Sequence, residues 1–318
     1  MHTKWKYYTN NYKDAFYVFK KALDGSGLFE EVRKKPDLSF IEHEPKGNPE
    51  KWKKFNEGAG RIPVFIYPHT PYSSYLWDGY VPPSSKIACN FVPSIAFKMA
   101  METYHYPCRI EVIGFPRPLT VKPFQPTSGK HLAISSVRLL GRYGAWIYKY
   151  DRFVRDRALR WIAKNRDHFE RVTVFYTFDL DKAMLRKFEK YDFDFVCVAR
   201  NGPEVKGMNT KNALKQLEGV DLFIGCNTLG YIAVSQGIPT ILIGHDNEFP
   251  MHSSNCGLHY SEYERYVAFP LKLHQMSACE VLSLCKEPDE RVEKWKAENI
   301  GTSFDADRFL EVVMEYLW

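Results

Sequence analysis

Along most of this 318-residue chain, apolar positions recur with two alternating periods. From Asn11 to Leu23 the apolar residues Ala15, Phe16, Phe19, Ala22 and Leu23 share one helical face, and Gly25 and Gly27 punctuate its end. Short apolar runs follow at Leu38–Ile41, Pro63–Tyr67, Ile87–Phe91 and Arg109–Ile113. Their lengths and bounding turn residues predict strands covered on both faces. The Ala- and Met-rich stretch Ser94–Tyr104 predicts a helix between the last two. After a Pro-rich passage, Phe115–Pro126, the alternation resumes more regularly. It predicts a strand at His131–Ser135, a long amphipathic helix over Tyr148–Asn165 and a strand at Val172–Tyr176. Then come a helix at Asp181–Tyr191, a strand at Phe193–Val198 and a helix at Thr210–Leu217. A strand at Asp221–Gly225, a helix at Thr228–Gln236 and a strand at Thr240–Ile243 close the series.

Such β-α alternation predicts the α/β class, with parallel strands, helices on both sheet faces and right-handed crossovers. The length exceeds what one core organises and suits two domains. The Pro-rich passage divides them into 1–126 and 127–318, with the last helix a candidate to cross back. Ligands of such sheets bind beyond the carboxyl ends of the strands, so the expected site is the cleft between the two domains.

Composition narrows the setting. No apolar run approaches the roughly 20 residues that span a bilayer, and the N-terminus, Met1-His2-Thr3-Lys4-Trp5-Lys6, lacks the apolar stretch of a signal peptide. The seven cysteines (Cys89, Cys108, Cys197, Cys226, Cys256, Cys279, Cys285) are odd in number and never spaced as Cys-x-x-Cys. Several fall in predicted strands, which predicts buried free thiols, a reducing cytoplasmic setting and no zinc site. The formal charge of +6 is mild but uneven. From Arg117 to Arg166 the only acids are Asp151 and Asp156, against a dense series of Arg and Lys. That stretch suits a polyanion or nucleotide phosphates, or else a solvated helix face.

The most informative segment is GVDLFIGCNTLGYIAVSQGIPTILIGHDNEF, Gly219 to Phe249. A buried strand meets the polar turn Cys226-Asn227-Thr228. A helix then opens with Leu229 and Gly230 and closes at Gly237-Ile238-Pro239. Asn227 is a candidate N-cap, and the amides of Thr228, Leu229 and Gly230 are candidates to receive a diphosphate, aided by the helix dipole. A merely structural turn is the competing reading. The loop Ser135-Ser136-Val137-Arg138 also follows a strand. Arg138 is a candidate to neutralise a diphosphate leaving group, and the serine hydroxyls are candidates to add hydrogen bonds to it.

Strand, polar turn, helix, then Gly-x-Pro and an apolar strand resembles the donor-domain signature of GT-B glycosyltransferases. It is similar in particular to the branch containing non-hydrolysing UDP-N-acetylglucosamine epimerases and CDP-glycerol glycerophosphotransferases. IPVFIYPHT resembles that branch's strand leading to a cleft histidine, here His69, and IEVIGFPRP resembles the GYPR step that closes the N-terminal domain. The resemblance implies a GT-B fold of two Rossmann-like domains facing across a cleft, with the acceptor on 1–126 and a nucleotide-sugar on 127–318. The expected donor is a UDP-sugar. Its phosphates fall to Ser135, Ser136, Arg138, Asn227, Thr228, Leu229 and Gly230, and its nucleoside to Asn201, Gly202, Met208 and Glu248. His245 and Asp246 would line the sugar pocket. Two departures stand out. Val234 and Ser235 occupy the region where many relatives carry a ribose-binding carboxylate, and the Glu-x7-Glu pattern of one retaining group is missing. Glu248 is the candidate substitute.

Transfer to a hydroxyl needs a base, and His69 and Asp78 are the leading candidates, ahead of Asp14, His69 because its ordinary pKa suits proton transfer at neutral pH. The strings Asp179-Leu180-Asp181 and Asp192-Phe193-Asp194 read as a helix cap and a strand start, so no obligatory metal or other cofactor is expected. Along the helix Tyr148–Asn165, Lys149, Arg152, Arg160 and Lys164 form a basic stripe, leaving Phe153, Val154, Trp161 and Ile162 for the core. With Lys20-Lys21, Arg33-Lys34-Lys35 and Lys51, Lys53 and Lys54, the stripe suits a nucleic-acid backbone. The Lys- and aromatic-rich character resembles phage enzymes that glycosylate hydroxymethylated pyrimidines in DNA. That resemblance implies DNA as acceptor and host cytoplasm as location. With no apolar anchor or amphipathic apolar helix in the pattern, no membrane partner is expected, and a monomer or homodimer is the expected state. An epimerase or glycerophosphotransferase of the same fold, and a non-catalytic binding module, remain the alternatives.

Overall fold

The computed structural model describes residues 2–7, 13–41, 62–67, 87–103, 108–126, 128–135, 158–176, 186, 188–197, 210–225, 227–242, 276–284, 286–288 and 290–317. The chain forms two units, Met1–Leu119 with Ala297–Trp318, and Thr120–Lys296.

In the first unit the strands are β1 (Thr3–Tyr7), β2 (Phe29–Glu31), β3 (Leu38–Ile41), β4 (Val64–Ile66), β5 (Cys89–Val92) and β6 (Arg109–Val112). They pair in parallel in the order β2-β1-β3-β4-β5-β6. Helix α1 (Lys13–Ser26) links β1 to β2, and α2 (Ile95–Thr103) links β5 to β6. The first strand escapes the apolar pattern because Lys4 and Lys6 flank the buried Trp5. That indole packs on Phe16 of α1 at 5.6 Å, and the Lys20 ammonium sits 5.3 Å from its ring.

The chain's end completes this core. A helix near the C-terminus, Ala306–Met314, inserts Phe309, Val312 and Val313 among Trp5, Phe16, Phe19, Phe40, Phe65 and Phe91. Asp305 caps it, accepting from the Arg308 amide at 2.9 Å. Before the helix, Phe115 donates its amide to Thr302 O at 2.8 Å. Gly114 has φ +80°, and a Cβ there would lie 2.2 Å from Ser303 O, so only glycine admits this approach.

A set of ion pairs holds the helix to β6. Arg308 reaches Glu111 at 3.0 Å and Glu311 at 2.7 Å, while Arg109 reaches Glu111 at 2.6 Å and also pairs with Glu315. Burial pushes the Glu111 carboxyl up, but the bonds from Arg308 and Arg109 outweigh it and hold the carboxyl below its ordinary value.

The second unit carries β7 (His131–Ser135), β8 (Arg171–Tyr176), β9 (Asp194–Cys197), β10 (Leu222–Gly225) and β11 (Thr240–Leu242). All pair in parallel, in the order β11-β10-β7-β8-β9. In chain order, α3 (Thr210–Leu217) precedes β10 and α4 (Asn227–Ser235) follows it. Further on come α5 (Ala278–Leu284) and α6 (Glu290–Asn299), which makes the C-terminal helix Ala306–Met314 α7. Residues 158–164 are helical, with Trp161 and Ile162 in the core and Arg160 and Lys164 exposed.

Where a helix was expected up to Tyr191, its last turn tightens to a 3-10 turn at Glu189–Tyr191, and Asp192 stops it at φ 53°. Asp192 and Asp194 face arginines of their own unit, Arg166 at 3.4 Å and Arg171 at 2.7 Å. Cys89 is buried, Cys108 half-buried and Cys279 exposed, and none of these three forms a disulfide. Burial pushes the Cys89 thiol far up. No helix among the described residues is long and apolar enough to cross a membrane.

Candidate functional site

The second sheet has a topological switch point. From β7 the chain steps outward through β8 and β9 on one side, then returns to build β10 and β11 on the other. Neighbouring β7 and β10 therefore send their crossovers in opposite directions, which opens a crevice beyond their carboxyl ends. The ladder aligns these ends: Leu132, Ala133 and Ile134 sit opposite Leu222, Phe223 and Ile224, so Ser135 and Gly225 finish level with each other.

The opposite end of the same strands is locked by a polar network. Asp221 accepts from the Ser128 hydroxyl at 2.7 Å and from the His131 amide at 2.9 Å. The His131 ring bridges Gly219 O at 3.1 Å and Thr173 Oγ1 at 2.9 Å. A carbonyl can only accept, so Nδ1 carries the proton and Nε2 accepts from the threonine hydroxyl, a neutral imidazole. Burial holds its pKa below the ordinary value. The Asp221 carboxyl, pushed up by burial, is brought below its ordinary value by Ser128 and by the amide of His131. This network has no contact with the carboxyl ends. Its effect on the site is to hold β7, β8 and β10 in register.

Two residues past the end of β10, α4 begins. Leu229 to Ser235 are buried on every side, so the helix is sunk in the unit rather than laid over it. Tyr231 packs on Trp295 of α6 at 6.0 Å. At its exit Gly237 adopts φ +77°, the left-handed residue expected after a helix. The Ser235 carbonyl accepts from the Lys122 amide at 2.7 Å and that of Gly237 from the Gln125 amide at 2.8 Å. The first turn lies at the carboxyl end of the sheet, and its amides are those a helix cannot satisfy internally.

No family model matches the chain, and no curated protein matches it. Solved structures do. The MnaA–UDP co-structure of S. aureus superposes with a TM-score of 0.57 at 10% identity, over 100% of this chain and 97% of MnaA. A protein of Listeria monocytogenes assigned as a UDP-N-acetylglucosamine 2-epimerase gives 0.56 at 12% identity, over 100% and 97% of the two chains. The wall teichoic acid polymerase TagF gives 0.55 at 10% identity, over 99% of this chain and 90% of TagF. The fold is GT-B. The second unit, with its switch point and α4, holds the segments in which the sequence pattern leads us to expect a donor site.

Of the residues singled out in the sequence, Ser135 ends β7, and Asn227, Thr228, Leu229 and Gly230 form the first turn of α4. The sheet brings these two segments onto adjacent strands. The helix begins at Asn227 itself, one residue earlier than the pattern indicated, within the latitude of helix ends. Arg160 and Lys164 lie exposed one turn apart on the 158–164 helix. His69, Asp78, Ser136, Arg138, Lys149, Arg152, Asn201, Gly202, Met208, His245, Asp246 and Glu248 fall outside the described residues.

Among the described residues, no group of three or more His, Cys, Asp or Glu could hold a metal ion. Sequence reasoning missed the segment 120–125 and Lys296, which surround the exit of α4. Only Gly237 hinted at a close approach there.

Proposed function

We propose that this protein is a glycosyltransferase that takes its sugar from a nucleoside-diphosphate donor, UDP-linked in the first instance. The observation that carries the reading is the switch point between β7 and β10, with Ser135 and the first turn of α4 on neighbouring strand ends. Amides at a helix N-terminus beside a strand end suit the oxygens of a diphosphate. Arg138 would neutralise the leaving diphosphate, and the Ser136 hydroxyl would add a hydrogen bond to it. Asn201, Gly202, Met208 and Glu248 would take the nucleoside, His245 and Asp246 the sugar, and His69 or Asp78 the acceptor proton. UDP in the MnaA co-structure supports the choice of nucleotide. No metal is required in this scheme, because amides and Arg138 supply the positive charge.

The acceptor in this reading is a hydroxymethylated pyrimidine of DNA. The exposed pair Arg160 and Lys164, with Lys149 and Arg152 earlier in the same sequence stripe, supplies phosphate contacts. A base stacked in duplex would be flipped or met in a single strand. The likeness to MnaA and the Listeria protein supports a second reading, epimerisation of a UDP-sugar without any acceptor.

A thermal-shift screen of UDP, CDP, ADP and GDP tests the donor site, since a ligand of the folded form raises the melting temperature. UDP is expected to give the largest rise, and a flat response to all four would sink the reading. Radiolabelled UDP-sugars with and without hydroxymethylated DNA then separate transfer from epimerisation. Label entering DNA in a salt-sensitive manner supports transfer, whereas interconversion of the sugar alone supports the second reading.

A further inference from the structure

The helix proposed to receive the donor must be held along its own axis, because its first-turn amides are useful only at a fixed height. Nothing at its N-terminal end can do this if that end is left to the ligand. The constraint comes from behind. Beyond Ser235 the chain meets the segment 120–125, which runs across the helix exit as a strap. The strap gives the Lys122 amide to Ser235 O at 2.7 Å and the Gln125 amide to Gly237 O at 2.8 Å. It receives the Gln236 side-chain amide on Thr120 O at 3.0 Å. A Cβ on Gly237 would lie 1.8 Å from Pro123 O, so the strap presses directly on the helix stop.

One side chain fastens the strap in turn. The Lys296 ammonium donates to Lys122 O, on the same residue whose amide holds Ser235. Lys296 is 6% exposed, and its acidic neighbour Glu293 is 3.6 Å away. Burial holds its ammonium below the ordinary value. A buried ammonium is costly and is kept where its hydrogen bonds require it. Its neighbour Trp295 is the residue that packs on Tyr231 of α4. Residues 295 and 296 thus grip the donor helix from the side and, through the strap, from its end.

We infer that Lys296 is a positioning residue for the donor: it sets the axial height of α4 by clamping the 120–125 strap against the helix exit. This rests on the donor reading above. It goes beyond that reading because it assigns a role to a residue at the far end of the helix from any ligand. Removing the ammonium loosens the strap and lets the helix settle away from the diphosphate, so donor affinity falls while the unit remains folded.

The experiment is UDP binding to the full chain by calorimetry, for wild type, Lys296→Met and Lys296→Arg. Lys296→Met is expected to raise the UDP dissociation constant about tenfold or more, and Lys296→Arg, which keeps a charged donor, to recover most of the loss. If wild type binds UDP and Lys296→Met binds it equally while merely melting earlier, Lys296 is a scaffold residue and the inference is wrong. If wild type binds no nucleotide, the donor reading itself fails, which is a distinguishable result. Should Lys296→Met not fold, Gln236→Leu cuts the Thr120 bond at the same strap and must weaken UDP binding in the same direction; unchanged affinity would overturn the inference.

Discussion

The first unit's sheet is packed with rings: Phe40, Phe65 and Phe91 stack across neighbouring strands at 5.4 and 5.8 Å, and Phe309 meets Phe91 edge-on at 5.1 Å. In the second unit one face of the sheet is lined mainly by aliphatic chains, Leu132, Ile134, Val172, Val174, Leu222 and Ile224, and the rings packed with them, Trp161, Phe169, Phe188 and Phe193, come from outside the strands. The first core needs a helix from the far end of the sequence to complete it, and the second is filled from within its own segment. In the second unit a helix, α4, is buried from Leu229 to Ser235, with its first turn near the switch point. Stability of the first unit therefore hangs on a long-range return of the chain, whereas the chemistry proposed for the second would hang on how two strand ends and one helix are aligned. Damage in one should leave the signature of the other intact.

The strongest challenge to this contrast is Phe309→Ala. It leaves a ring-sized cavity where α7 meets the stacked phenylalanines, and should cost about 3–5 kcal/mol in denaturant unfolding. UDP affinity of the molecules still folded should not change; a parallel loss of affinity would merge the two units energetically. The converse substitution is Thr228→Trp in the first turn of α4. It should abolish the UDP thermal shift while the ligand-free melting temperature moves little, and a retained shift would remove the donor from this helix.

A smaller effect is expected at Glu111, which two arginines share. Glu111→Gln should destabilise the first unit by about 1–3 kcal/mol at neutral pH, the range for hydrogen bonds to charged groups. Since the folded carboxyl lies below its ordinary value of 4.5, its contribution is complete above that value and lost as pH falls through the lower folded one. Wild type and variant should converge in strong acid, and a gap that persists there would mean that packing, not charge, holds α7.

The smallest effect is expected at His131 in the second unit. Its folded pKa lies below the ordinary 6.5, so its contribution is whole above 6.5 and lost as pH falls through the folded value. Melting curves between pH 7.5 and 5.5 should show a decline that His131→Gln flattens. Equal slopes would contradict a buried neutral ring.

The strands at Leu38–Ile41 and His131–Ser135 and the helix Thr210–Leu217 have the bounds that periodicity indicated, because each is an unbroken apolar or amphipathic run between turn residues. The strand β1 was illegible because the buried Trp5 lies between two lysines. β2 buries only Phe29, too little to set a period. In the candidate site, the helix turn at Asn227 and the strand end at Ser135 were each readable from local pattern. That they terminate adjacent strands was not, because strand order is decided by contacts between segments ninety or so residues apart.

By itself the amino-acid order determined the β-α alternation, the strand–turn–helix at Gly219–Gly237 and the candidate chemistry of its polar turn, since these follow from local periodicity and turn preferences. The tertiary structure alone decided that β7 and β10 lie side by side, that residues 306–314 complete the first core, and that Lys296 and the 120–125 strap close around the exit of α4. The physical reason is that a local pattern reports which face of a segment is buried, but not which distant segment buries it.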